Sequence, residues 1–514
     1  MRHRVFDRWT ILTLLGVGAF MFWGAGHYSV FDDEGFSCRR YTMPMGEMIS
    51  ALWCGEEPDP PLYYILQNIW VHIFGVGPLG LRSLSILMFL AGLVFTRLAA
   101  TEWYDAPTGR LAMLIAAIHP AHLLFGFAGR WYSMMFCLVG LFLWLTGVLA
   151  RRVDRRTLIA WSLVAAAVCY TNYFGPVLVA ITWAVMVIRH GQFRRWLPAA
   201  AITAILYAPW LPAFWKQATT FPQVTLTWSK YGDSALRLLM ALFTGNLASI
   251  SAWWVWVFVF VSMVAFSLLA IFSSDARRRP GPMPQIIALC VFAGIASRTI
   301  IDKYIMVFSG LVCIGVAAIW IRYGLGAQRS WPTRFARLAT ASLALAWVGC
   351  YINLVTERHW SSLRWLDPWE HALNSLKSNG PTEWVMSQPA ARYYYGCKMA
   401  PFEWREYSPL VMCDGWRWFA LPPDQGGSHE APATPESILE KMKERKPPRV
   451  ATIRGSEFSD SPKWSDLEKI LDKEYELVEE RAYLEDLDAK WKDWLDPTFK
   501  HPEWRVTFRV YKIR

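Results

Sequence analysis

Charged side chains are scarce in this chain. Only 18% of its 514 residues are Asp, Glu, Lys or Arg, while 54% are hydrophobic and 15% aromatic. That balance excludes an ordinary soluble globular protein of this size. Internal repeats and low-complexity tracts are also missing, which excludes a solenoid or a disordered scaffold. No small-residue cleavage site follows the first apolar run, which ends in HYSVFDDE, so the run reads as an uncleaved first span. After residue 356 there is no further run of membrane-spanning length.

What is present is a series of apolar runs separated by short loops. The expected spans lie near 11–29, 82–100, 110–127, 131–150, 157–171, 174–188, 197–214, 250–272, 285–298, 304–321 and 338–356. This predicts a polytopic α-helical membrane protein of about eleven spans. The formal charge of +11 does not indicate a nucleic-acid partner, because the arginines cluster between spans: RRVDRR at 151–156, RHGQFRR at 189–195, DARRR at 275–279 and RYGLGAQRSWPTRFAR at 322–337. Short loops rich in arginine stay on the cytoplasmic side. Parity then makes PLYYILQNIWVHIFG, 61–75, an amphipathic helix on the outer surface rather than a span, with Gln67, Asn68 and His72 interrupting its apolar face.

The same parity puts residues 357–514 outside. Their helix-like and strand-like stretches alternate: ESILEKMKERK and WSDLEKILDKEY against EWVMSQ, RVATI and WRVTFRVYKIR. This predicts a small extracytoplasmic α/β domain behind a membrane domain of residues 1–356. Of nine cysteines, Cys38 with Cys54 and Cys397 with Cys413 fall in outer segments, where an oxidising exterior permits both as disulfides.

Chemistry concentrates in the outer segments. VFDDEGFS at 30–37 sets Asp32, Asp33 and Glu34 at a membrane edge, where carboxylates are costly to desolvate and repel one another. A solvated loop is the plain alternative. The adjoining segments 119–132 and 297–304 bring Arg130, Arg298 and Lys303. Cations beside acids at the outer surface suit a nucleophile that must be deprotonated and a phosphate that must leave. Arg130 could equally snorkel toward lipid headgroups. His119 and His122, at i and i+3, could hold a divalent metal only with a third ligand, so no cofactor is called for.

The motifs VFDDEGFS, DPPLYYILQNIW, GLRSLSILMF, HPAHLLFGFAGRWYSMMF, YTNYFGPVLV, APWLPAFW and DKYIMVFSG occur in an order that resembles bacterial GT-C glycosyltransferases of the family-39 type. That group includes protein O-mannosyltransferases and lipid A aminoarabinose transferases. LDPWEHAL and ARYYYG in the tail are similar to the extracytoplasmic part of such chains. The resemblance implies a GT-C fold in the bacterial inner membrane. It also implies inverting transfer of a sugar from a polyprenyl-phosphate donor to a hydroxyl on a lipid, polysaccharide or protein acceptor. Asp33 falls on the position of the base, with Glu34 beside it and Asp32 in reserve. Lys303, Arg130 and Arg298 fall to the lipid phosphate, and Asp59, Tyr63 and Tyr132 to the substrate pocket. Two departures stand out: Asp59 where relatives commonly have His, and Ala128 where they often carry Glu two residues before the arginine. A flippase for a lipid-linked sugar and a non-catalytic envelope scaffold remain alternatives. Against transport stand the absence of charge in mid-span and of repeat symmetry.

Overall fold

The structure, a computed structural model, describes residues 7–27, 32–55, 59–152, 154–190, 193–220, 242–245, 247, 253–272, 306–325, 330–355, 384–387, 449–454, 469–484 and 505–513. The helices in order are α1 Arg8–His27, α2 Asp32–Thr42, α3 Met45–Cys54, α4 Leu62–Phe74, α5 Pro78–Trp103, α6 Ala106–Ala117, α7 Pro120–Phe125, α8 Tyr132–Arg151, α9 Arg155–Cys169, α10 Phe174–His190, α11 Phe193–Tyr207, α12 Leu211–Thr220, α13 Trp253–Phe272, α14 Met306–Ile319 and α15 Trp331–Val355. Among the described residues, five helical stretches are long and apolar enough to cross a membrane: Arg8–Gly26, Pro78–Trp103, Tyr132–Arg151, Trp196–Thr219 and Trp331–Leu354. The expected span at 285–298 lies outside the described residues.

Two expected spans are interrupted, each for a local reason. The run 110–127 breaks into α6 and α7 at His119–Pro120. Proline disfavours helical backbone in the residue before it, and His119 takes up an extended conformation and caps the new helix, its Nδ1 accepting from the Ala121 amide. Between α11 and α12 the chain tightens into a 3₁₀ turn at Ala208–Trp210, where Pro209 and Pro212 cannot supply amide donors.

The segment 31–60, expected as an outer loop, is helical through most of its length. Glu34, Ser37, Cys38 and Tyr41 are fully buried at i, i+3, i+4 and i+7 along α2, and Met48, Ala51 and Leu52 repeat the spacing on α3. Asp32, Asp33 and Glu34 form the first turn of α2, where the exposed amides favour negative charge. Cys38 is buried on α2 and Cys54 exposed at the end of α3, and both are thiols. The expected bridge between them is not formed. Cys397 and Cys413 lie outside the described residues.

The chain divides into two compact units. The first comprises Met1–Gly26, Met45–Gln67 and Arg82–Ser362, the second His27–Pro44, Asn68–Leu81 and Leu363–Arg514. In the first, α13 packs along α15, α14 against α6 and α8, and α9 between α8 and α11. Small residues permit the closest approaches. A Cβ on Gly92 of α5 would come within 2.4 Å of the Phe136 ring on α8, and one on Gly140 of α8 within 3.0 Å of Phe95 Cβ on α5. At one end of this bundle Asp7 caps α1 through the Thr10 amide at 3.0 Å, and the Arg97 guanidinium grips both its carboxylate oxygens at 3.1 and 2.9 Å. Burial would raise the Asp7 carboxyl, but the Thr10 amide and hydroxyl and Arg97 outweigh it and hold it at about 2.

The second unit contains α2 and a four-stranded sheet, β1 Trp384–Ser387, β2 Arg449–Arg454, β3 Tyr475–Leu484 and β4 Arg505–Ile513, in the order β1-β2-β4-β3. β1 and β2 are parallel and the other pairs antiparallel. Strand β3 slips by one residue between Leu477 and Glu479, which leaves Val478 as a bulge opposite β4. The helix expected over WSDLEKILDKEY is present at 469–474 and gives way to β3 at Tyr475. From there apolar Tyr475 and Leu477 alternate with glutamates, the period of a strand.

Candidate active site

The buried polar centre of the first unit is built from two turns. One is Asp59-Pro60-Pro61, which enters α4. Consecutive prolines hold the chain extended and supply no amides, so α4 begins at Leu62, whose amide donates to the Tyr170 carbonyl at 3.0 Å. The other is the tight turn between α7 and α8, closed by the Arg130 amide on the Ala128 carbonyl at 2.7 Å and by the Ser133 hydroxyl on the Gly126 carbonyl at 2.6 Å. A Cβ on Gly126 would lie 2.3 Å from the His122 carbonyl oxygen, so only glycine permits this turn.

The two turns meet in a closed triangle. Arg130 Nη2 donates to Asp59 Oδ2 at 3.1 Å, Arg130 Nη1 to the Tyr64 hydroxyl at 3.0 Å, and that hydroxyl to Asp59 Oδ2 at 3.4 Å. The Asp59 and Arg130 side chains are 4% and 8% exposed. Charges that deep are costly to desolvate, and here each ion offsets part of the other's cost. Behind the triangle, the Tyr63 hydroxyl sits 3.0 Å from Ser85 Oγ, and Ser85 donates to the Arg130 carbonyl at 3.3 Å, fixing the backbone that carries the guanidinium.

Of the residues expected to carry function, the structure thus brings Asp59 and Arg130 into direct contact. Tyr63 lies one hydroxyl away, and Tyr132, two residues after Arg130, is fully buried with its ring edge-on to Phe125. Arg130 does not snorkel. Asp32, Asp33 and Glu34 belong to the second unit, where they open α2 with Glu34 fully buried. Lys303 and Arg298 lie outside the described residues.

His119 and His122 are adjacent, with ring centroids 4.8 Å apart. Their nitrogens are already engaged, however. His119 Nε2 faces the Leu242 carbonyl at 3.3 Å, and His122 meets the Ala116 carbonyl at 2.6 Å and Ser309 Oγ at 2.7 Å. Among the described residues no three His, Cys, Asp or Glu side chains gather as a metal site would require.

Two participants were not expected. Tyr64 bridges the ion pair, and only its place beside Tyr63 in DPPLYY signals it. Arg82 is 1% exposed; it donates to the Ala25 carbonyl at 3.1 Å, capping the end of α1, and lies over the Phe127 ring at 5.3 Å. Read as an apolar span, GLRSLSILMF gave no hint of that.

No protein-family model and no characterised protein sequence matches the chain. Solved structures do. ArnT from Cupriavidus metallidurans, crystallised bound to undecaprenyl phosphate, is similar over 98% of both chains at 14% identity, with a TM-score of 0.56. AglB, the oligosaccharyltransferase of Archaeoglobus fulgidus, in complex with an inhibitory peptide and a dolichol-phosphate, is similar over 93% of this chain and 73% of its own, at 12% identity and a TM-score of 0.50. The arabinofuranosyltransferase AftD from Mycobacteria gives 0.52 at 13% identity over 98% of this chain, which spans 40% of AftD. These neighbours are GT-C glycosyltransferases. The chain has the GT-C fold. At such identities the likeness is one of backbone, and the chemistry rests on this chain's own side chains.

Proposed function

We propose that this protein is an inverting glycosyltransferase that moves a sugar from a polyprenyl-phosphate donor to a hydroxyl acceptor, whether lipid, polysaccharide or protein. It does so on the outer face of a bacterial inner membrane. The observation that carries this is the likeness to ArnT over 98% of both chains, in a structure bound to undecaprenyl phosphate. A buried guanidinium poised in the bundle supports it, because the departing lipid phosphate must be met by preorganised cations.

In this scheme residues 1–356 form the catalytic membrane domain of about eleven spans, and residues 357–514 an extracytoplasmic α/β domain. Helix α4 lies on the outer surface. Its exposed Ile69, Ile73 and Phe74 suit the bilayer interface, while Gln67 and Asn68 are buried. Asp33 takes the acceptor's proton as the hydroxyl attacks the anomeric carbon, with Asp32 as the alternative base and Glu34 beside them. The bond to the lipid phosphate breaks in the same displacement, so the configuration inverts. Lys303, Arg298 and Arg130 hold the phosphate, and Asp59, Tyr63 and Tyr132 shape the pocket.

The test is transfer of a radiolabelled sugar from a polyprenyl-phosphate donor by purified protein in nanodiscs. Asp33→Asn keeps a hydrogen-bonding side chain but accepts no proton, so the rate should fall about 10²–10⁴-fold. Near wild-type transfer by Asp33→Asn would exclude it as the base, and Asp32→Asn is measured alongside. Wild-type protein that transfers no sugar yet moves a fluorescent lipid-linked sugar across a vesicle would replace the enzyme with a transporter.

A further inference from the structure

We propose that Asp59 is an internal stand-in for the donor's phosphate. It occupies the Arg130 guanidinium while the lipid is absent and competes with the lipid phosphate for that guanidinium during turnover. This rests on Arg130 being one of the groups that meet the phosphate, as set out under Proposed function.

The geometry of the triangle carries the inference. Both terminal nitrogens of Arg130 are engaged, Nη2 by the Asp59 carboxylate at 3.1 Å and Nη1 by the Tyr64 hydroxyl at 3.0 Å. A carboxylate and a phosphate present oxygens to a guanidinium fork in the same way. A phosphate drawn to this guanidinium must share it with Asp59 or displace it, and two anions on one buried cation repel each other. The burial of the pair, 3% for Asp59 and 7% for Arg130, makes the competition strong, since little water screens it. Asp59 lowers the cost of keeping that cation buried while the lipid is absent.

The charges on the lipid change during the reaction in a way that gives the competition a direction. A polyprenyl-phosphate sugar is a phosphodiester with one negative charge. The polyprenyl phosphate left after transfer is a monoester whose second ionisation lies near neutral pH. The product therefore attracts Arg130 more than the donor does, and a bundle of cations alone would retain it. Asp59 returning to Arg130 favours release. The Pro60-Pro61 turn keeps the carboxylate at hand, and Tyr64, bonded to both ions, steers its return.

The experiment titrates undecaprenyl phosphate into purified full-length protein in nanodiscs, read by tryptophan fluorescence, alongside steady-state transfer kinetics. Asp59→Asn should bind undecaprenyl phosphate at least about tenfold more tightly, the lower end of what a charge-assisted contact contributes. Its KM and kcat should fall together, because release slows. Asp59→Glu should restore wild-type binding and kinetics. A purely structural Asp59 would weaken binding and raise KM on substitution, and that result overturns the proposal, as does unchanged affinity. If Asp59→Asn does not fold, Tyr64→Phe decides: freeing Nη1 should tighten binding about 2–10-fold, and weaker or equal binding refutes competition. Arg130→Met separates the two layers. If it binds undecaprenyl phosphate normally, the assignment of Arg130 to the phosphate is wrong and the inference falls with it. If it binds weakly while Asp59→Asn is unchanged, only the inference falls.

Discussion

The Asp59–Arg130 pair makes a prediction about stability that needs no substrate. Its partners sit 3.1 Å apart with side chains 4% and 8% exposed, so removing either charge strands the other in a medium of low dielectric. Breaking a buried pair from one side costs about 3–5 kcal/mol. Arg130→Met takes this partner from the Asp59 carboxylate, and Asp59→Asn takes it from the guanidinium. The double variant removes both charges together and should lose no more than either single one. The expected coupling is therefore about 3 kcal/mol or more, far above the about 0.5 kcal/mol within which independent sites add. At about 2.1 cal/mol/K of unfolding entropy per residue, 514 residues convert each kcal/mol to roughly one degree, so each single variant should lose about 3–5 °C. Thermal unfolding in detergent, followed by tryptophan fluorescence, reads all four proteins in one series. Strict additivity would mean that the two side chains do not compensate each other, and the account of the triangle would be wrong.

Lys303→Met should weaken donor binding by roughly 10–150-fold, the range of a charge-assisted contact, whereas Lys303→Arg keeps most of it. Should Arg298→Met alone show the loss, the phosphate belongs to Arg298. Reporter fusions after residues 78 and 360 should both register outside, and a cytoplasmic signal at the second would reverse the sidedness of the acids. The Asp7 carboxyl is held at about 2 against 3.8 when unfolded, so its contribution to stability is fully present above about pH 4 and is lost as pH falls through about 2. The stability gap between wild type and Asp7→Asn should be flat above about pH 4 and close below it, and a gap that widens in acid would reverse the sign.

What was legible in the sequence is what periodicity and hydropathy encode. The runs expected at 82–100, 131–150 and 174–188 became α5 Pro78–Trp103, α8 Tyr132–Arg151 and α10 Phe174–His190. Helix α2 escaped because a run of charged and polar residues outweighed a spacing that was there to read, Glu34, Ser37, Cys38 and Tyr41 on one face. Hydropathy carries no signal for a helix whose buried face includes a carboxylate and a hydroxyl. The break at His119–Pro120 was likewise written in the sequence, since the residue before a proline leaves the helical region. A continuous apolar window masked it. The thiols Cys38 and Cys54 illustrate the opposite limit, because spacing along a chain fixes no distance between side chains.

The triangle was half legible, and the missing half is the contact between its two ends. Sequence reading put Arg130 with the phosphate and Asp59 in the substrate pocket, because 71 residues separate them and nothing local joins them. Arg130 alone at a helix end reads equally well as an arginine reaching for headgroups. Its burial decides against that, and the Asp59 carboxylate offsets the cost of that burial. Ala128, two residues before the arginine, is 1% exposed and offers no charge. The carboxylate 3.1 Å from the guanidinium comes instead from Asp59, 71 positions back along the chain. A contact of that sequence separation leaves no periodic or local trace, so only the folded chain reveals that the two residues belong to one site.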